Sequence, residues 1–224
     1  MITMHFLRSR QAFVFDLDGT LVDTLPDLLG SLNKALAEFD LPAVQASVLY
    51  DSLHGGLYAT ASAAFNALDA NRLLLPKISK RYDELYSAQL CQSSVPFPGV
   101  VDCLKQLKQA NIPLGICTNK QEKQARQLLT HLDLIQYFDG LVGADTHSQS
   151  KPHALPLLKL LEKLGAEPNS SVFVGDSVVD AQTALNAGTP LLYYTRGYGG
   201  PCKPEWKAIE FDCYTELIAH PAKI

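Results

Sequence analysis

Ala12-Phe13-Val14-Phe15-Asp16-Leu17-Asp18-Gly19-Thr20 is the stretch that decides how this chain reads. Four apolar residues have the pattern of a short buried strand, and two carboxylates follow where that strand opens into a loop. In α/β proteins this carboxyl edge of the sheet is where sites are built. A carboxylate pair placed there can bind a hard cation and attack phosphorus. Gly19 permits a tight turn, and Thr20 offers a short hydroxyl to hold a neighbouring carboxylate. By themselves, Asp16 to Thr20 also describe an Asp-Gly turn that begins a helix.

Distant parts of the chain separate those readings. Leu114-Gly115-Ile116-Cys117 runs into Thr118-Asn119-Lys120, and Leu141-Val142-Gly143 leads to a loop ending at Lys151-Pro152. Val172-Phe173-Val174-Gly175 runs into Asp176, with Asp180 four residues later. Helical patterns lie between the runs, so the chain reads as repeated βα units whose right-handed crossovers bring the strand ends to one edge. The expected fold is α/β, a doubly wound, Rossmann-like parallel sheet covered on both faces. Singly, each polar group has a duller explanation. Thr118 reads as the cap of a helix starting near Lys120, Lys151 as a loop cation beside a Pro-started helix, and Asp176 with Ser177 as an N-cap. Jointly these would be coincidences at four strand ends.

One interruption matters. Between the first strand and Pro96-Phe97-Pro98-Gly99 lie about seventy residues with helical periodicity and no convincing strand. Leu25, Leu28, Leu29, Leu32, Leu36 and Phe39 form one apolar stripe after a Thr24 cap. Leu57, Ala61, Ala64, Phe65 and Leu68 form a second, and Ile78, Tyr82, Leu85, Tyr86 and Leu90 a third. The predicted division is an α/β core over 1–22 and 95–224 with a helical domain, 23–94, inserted after the first strand.

Composition excludes several classes. The chain has 224 residues, 47% of them hydrophobic, enough for a buried core, and a net charge of -4 with dispersed basic residues, which argues against a nucleic-acid surface. No apolar run approaches the roughly 20 residues that cross a bilayer, and Met1 to Gln11 lacks a signal peptide's apolar segment, so the cytoplasm is the default location. Cys91, Cys103, Cys117, Cys202 and Cys213 show no Cys-x-x-Cys spacing and read as small apolar fillers. Six histidines without paired ligand spacing leave oxygen ligands for any metal, which means magnesium before zinc.

The motifs DLDGT at Asp16 to Thr20, TNK at Thr118 to Lys120, KP at Lys151 and GDSVVD at Gly175 to Asp180 resemble those of the haloacid dehalogenase superfamily of phosphatases. PFPGV at Pro96 to Val100, Ala187-Gly188 and Gly197-Tyr198-Gly199 are similar to its phosphoglycolate phosphatase branch. The resemblance implies a magnesium-dependent phosphatase that hydrolyses a small phosphate monoester through an aspartyl-phosphate. Asp16 would be the nucleophile and Asp18 the acid and base. Mg2+ would be held by Asp16, Asp176 and the carbonyl of Asp18. Lys151 would neutralise charge, Thr118 and the Asn119 N–H would bind phosphoryl oxygens, and Thr20 and Asp180 would support them, with Asp180 orienting Lys151 or a metal-bound water, or ligating directly. The insertion would be a mobile cap hinged near Leu21 to Thr24 and Ser94 to Pro98.

The branch often carries an arginine before a glycine-containing cap loop. Here that stretch, Ser47 to Gly56, has none, and His54 is the obvious substitute for touching substrate. A phosphosugar phosphatase, a β-phosphoglucomutase-like phosphotransferase and a receiver-like phospho-aspartate switch are the alternatives. The expected partner is a small phosphorylated metabolite, with no nucleic acid or membrane, and the chain is expected to be a monomer or homodimer.

Overall fold

Six parallel strands set the frame of the molecule: β1 (Phe13–Phe15), β4 (Leu114–Cys117), β5 (Gly140–Val142), β6 (Val172–Gly175), β7 (Leu191–Tyr194) and β8 (Ile209–Phe211). The computed structural model describes residues 10–218, so most of the Met1 to Gln11 stretch read for a leader lies outside the described residues. The strands lie in the order β5-β4-β1-β6-β7-β8. The chain therefore winds outward from β1 in one direction, then returns and winds outward in the other. Strand order reverses between β1 and β6, and a crevice opens there at the carboxyl ends of the strands. The last strand, β8, is an element that the sequence pattern did not announce: Ile209 and Glu210 are exposed and only Phe211 is buried.

β1 is buried throughout, and its side chains alternate between two cores as strand geometry requires. Phe13 and Phe15 join one core with Leu104 of α4 (Val100–Gln109) and Leu128 of α5 (Glu122–His131). Ala12 and Val14 join the other with Leu157 and Leu161 of α6 (Leu155–Lys163) and Ala181 and Ala184 of α7 (Val178–Ala187). A final short helix, α8 (Tyr214–Ile218), adds Tyr214 and Leu217 to the first core. Both faces of the sheet are thus covered.

The insertion folds as α1 (Leu25–Ala37), α2 (Gly56–Ala67) and α3 (Leu75–Ala88), with α1 packed along α3. Its two connections to the sheet run side by side, because β2 (Val22–Asp23) pairs antiparallel with β3 (Val95–Pro96). Asp27 fastens this junction: it is buried and accepts hydrogen bonds from the amides of Ser93 and Ser94 and from the Ser94 hydroxyl at 2.6 Å.

The expected Thr24 cap takes a different form. Thr24 occupies the N-cap position of α1, yet its hydroxyl makes no capping bond and is buried without a partner. The Tyr198 hydroxyl, from the far end of the chain, accepts hydrogen bonds from the Thr24 amide at 2.8 Å and the Leu25 amide at 3.0 Å, and donates to Asp23 at 2.6 Å. Among the described residues, no helix is long and apolar enough to cross a membrane. All five cysteines are free, with Cys103 and Cys117 packed in the cores as their apolar setting suggested.

Candidate active site

Asp16 follows β1 and Asp176 follows β6, so neighbouring parallel strands deliver both carboxylates to the crevice. The Asp16 amide donates to the Val174 carbonyl at 2.8 Å, fixing the backbone where the acid leaves the strand. Lys151 arrives on the loop after β5, with its ammonium 2.9 Å from Asp16 Oδ1 and 2.6 Å from Asp180 Oδ1. The contact with Asp16 lacks the angle of a hydrogen bond, and Asp16 Oδ1 is a buried oxygen without a donor. Thr20 donates to Asp176 Oδ1 at 2.6 Å, the role that its short hydroxyl suggested.

Asp180 does two jobs. It closes a capping box with Ser177 at the start of α7, and it holds Lys151. One segment, GDSVVD, thus supplies both a helix cap and a buried partner for Lys151. Pro152, by contrast, starts no helix, since α6 begins at Leu155 with Pro156 in its first turn. Nor does Thr118 cap α5: its hydroxyl accepts from the Lys120 amide at 3.2 Å, ahead of a helix whose N-cap is Gln121.

Asp176 is packed closely enough to have one position. A Cβ on Gly197 would lie 2.3 Å from Asp176 Cβ, and one on Gly19, whose φ is +84°, would lie 2.6 Å from Asp176 Oδ2. The Tyr198 amide then donates to that oxygen at 2.7 Å. Glycines at 19 and 197 thus let two loops close over the carboxylate.

His54 reaches this cluster from the insertion. Its ring is buried, its Nε2 has no hydrogen-bond partner, and it lies 4.0 Å from Asp176 Oδ2. The Asn119 side-chain amide holds the loop down by donating to the carbonyls of His54 at 2.9 Å and Lys151 at 3.0 Å. One ligand atom each from Asp16, His54, Asp176 and Asp180 lies within 4.8 Å of all the others.

Charge in so dry a space has consequences. Burial, with the neighbouring carboxylates adding to it, pushes Asp16 up to about 7 against the pull of Lys151. Burial and the Asp180 charge likewise push Asp176 up to about 7. Burial also acts on Asp180, but Lys151 outweighs it and keeps this acid below the ordinary carboxylate range. Burial lowers the Lys151 ammonium, and Asp16 with Asp180 more than reverses that. His54 is pushed down by burial, which favours the neutral ring. Two carboxylates that resist ionising side by side, one of them with an oxygen lacking a donor, suit a divalent cation.

Asp18 departs from expectation. Its carboxyl group is not free: both oxygens accept from the Lys120 ammonium, at 2.9 and 3.0 Å. Lys120 is buried and lies 4.6 Å over the Tyr86 ring, so it reaches between the core and the insertion. Sequence reasoning assigned Lys120 no role, although its place two residues after Thr118 at a strand end was the available signal. Asp16, Asp18, His54, Thr118, Asn119, Lys120 and Lys151 all line one cavity of about 390 Å³ between sheet edge and insertion.

An acid pair on the first strand, a lysine and a third acid across a topological switch point, and a helical insertion overhead define a hydrolase site of the α/β class. The family model for haloacid dehalogenase-like hydrolases matches residues 13–193. A phosphoglycolate phosphatase of Caulobacter vibrioides is 37% identical over 202 residues, covering 88% of this chain and 84% of that protein. One from Rhodospirillum rubrum is 40% identical over 194 residues, covering 84% and 80%. The crystal structure of a predicted phosphoglycolate phosphatase from Haemophilus somnus superposes with a TM-score of 0.87 at 28% identity, over 94% of this chain and 97% of that one. The chain belongs to the haloacid dehalogenase-like hydrolase family and is a phosphoric monoester hydrolase within it.

Proposed function

We propose that the protein is a magnesium-dependent phosphatase of small, phosphoglycolate-like monoesters that works through an aspartyl-phosphate on Asp16. The observation that carries this reading is the buried meeting of Asp16 and Asp176 beside Lys151, with Asp16 Oδ1 lacking a donor. Asp16 attacks phosphorus, the bond to the leaving oxygen breaks, and Asp18 gives that oxygen a proton. Asp18 then takes a proton from water, whose oxygen attacks the phosphorus of the aspartyl-phosphate and releases inorganic phosphate and Asp16. Thr118 and the Asn119 amide bind the phosphoryl oxygens, and Lys151, aimed by Asp180, neutralises their charge.

The carboxylates of Asp16 and Asp176 and the carbonyl of Asp18 would hold Mg2+, which when bound offsets the negative charge of acids and ester alike. His54 serves as a substrate contact, supported by its buried, unpartnered Nε2. Residues 23–94 act as the cap, hinged where β2 meets β3, and exclude water when closed. The activity for which these relatives are named supports phosphoglycolate as the first substrate to test.

Release of inorganic phosphate from p-nitrophenyl phosphate tests the reading. Expected are many turnovers per chain with Mg2+, and none from Asp16→Asn. Full activity of Asp16→Asn, or a yield that stops at one phosphate per chain, would reject the hydrolase mechanism.

A further inference from the structure

The cavity has three lysines on its walls, and they are not equivalent. Lys80 is exposed, and Lys151 is committed to Asp16 and Asp180. Lys120 is the buried cation that remains, and its only anionic hydrogen-bond partner among the described residues, Asp18, is the residue whose carboxyl group the reaction needs elsewhere. The lysine is also anchored. Its backbone amide is bonded to Thr118 Oγ1 and its ammonium rests over the Tyr86 ring. In the same cavity, on the insertion's side, Ser79 presents a buried hydroxyl that has no hydrogen-bond partner. The nearby carboxylate of Asp83 is engaged by the Gln124 amide at 2.7 Å.

Building on the phosphatase reading above, we infer that Lys120 is the site for a second anion on the substrate, and that the Asp18 carboxylate occupies that site until the substrate arrives. A substrate carboxylate has the same charge and shape as the Asp18 carboxylate, so it can replace Asp18 on the buried ammonium without leaving that charge unpaired. The exchange releases the Asp18 carboxylate, which takes up a proton from solvent as it turns toward the leaving oxygen and returns one to solvent when it pairs with Lys120 again. An ester bearing its own remote anion makes the exchange more readily than one without, so specificity and readiness for catalysis are linked through one lysine. Position sets the size of the substrate. The Lys120 ammonium lies 2.9 Å from the carboxyl group assigned to the leaving oxygen, so a second anion seated on it falls a few bonds from that oxygen, which suits an ester of two or three carbons. A cation on the core takes the part that the missing arginine would have played from the cap, with the Ser79 hydroxyl as a second donor.

The test compares phosphoglycolate with ethyl phosphate, which lacks the carboxylate, as a ratio of kcat/KM values. The wild type is expected to prefer phosphoglycolate, and Lys120→Met to lower the ratio about 10- to 100-fold, the usual worth of a hydrogen bond to a charged group, mainly through KM. Lys120→Arg, which keeps the charge, is expected to retain most of the preference. Calorimetric affinities for the two esters in an Asp16→Asn background read the same ratio without turnover. Absence of phosphate release would therefore count against the phosphatase reading, and an unchanged affinity ratio against this one. Should the unpaired Asp18 prevent Lys120→Met from folding, Asp18→Asn/Lys120→Met removes both charges and yields the calorimetric affinity ratio, read against Asp18→Asn alone. Equal losses on both esters, or no wild-type preference, would overturn the inference.

Discussion

Tyr198→Phe isolates a contact that joins the loop over Asp176 to the root of the insertion. The hydroxyl donates to Asp23 and accepts from the amides of Thr24 and Leu25, while the amide of the same residue donates to Asp176. Removing the oxygen leaves the Thr24 amide without that acceptor. The Leu25 amide keeps a longer bond to Asp23 at 3.3 Å. A net loss of about 2 kcal/mol follows from one orphaned amide and one lost donor bond, or a fall in Tm of about 4–8 °C for a chain of this size. Calorimetric unfolding measures the first effect, and hydrogen exchange should show faster exchange at Thr24 and Leu25. Thr24→Val provides the control. A working threonine cap would cost about 1 kcal/mol on removal, whereas the buried, unpartnered Thr24 hydroxyl should cost nothing. A Tm for Tyr198→Phe within about 1 °C of wild type, with Thr24→Val the more damaging change, would refute the assignment of the cap to Tyr198.

Gly197→Ala should weaken Mg2+ binding measured by titration calorimetry by at least about tenfold, because its Cβ would collide with the side chain of Asp176 and displace that carboxylate. Cys103 makes a prediction about pH. Burial raises its thiol from 9.0 to about 12, so the folded chain keeps a proton that the unfolded chain releases. The contribution is whole below about pH 9 and is lost as pH rises toward about 12, with an upper bound of about 4 kcal/mol. Urea midpoints of wild type and Cys103→Ala should therefore converge as pH rises through that window; a constant gap would contradict it.

The sheet and the strand-end groups that meet in the crevice were legible because both are written locally. Short apolar runs at Phe13, Leu114, Leu141 and Val172 each ended in a polar group, and parallel crossovers leave such ends on one edge. β8 escaped because two of its three residues are exposed and give no apolar run. Thr20 reached Asp176, and Asp180 reached Lys151, as residue type and position suggested. From its place in the loop, His54 read as a substrate contact; its burial against Asp176 depends on how the insertion sits over the sheet.

Sequence alone determined the βα order, the helical insertion and the acids at the crevice, since periodicity of 2 or 3.6 and strand-end chemistry depend on neighbours along the chain. Tertiary structure decided which charges meet. Asp18 and Lys120 are 102 residues apart, and Asp23 and Tyr198 are 175 apart. Nothing local says that the members of either pair meet. Each exists because packing brings two loops within hydrogen-bonding distance in a space where an unpaired polar group is costly.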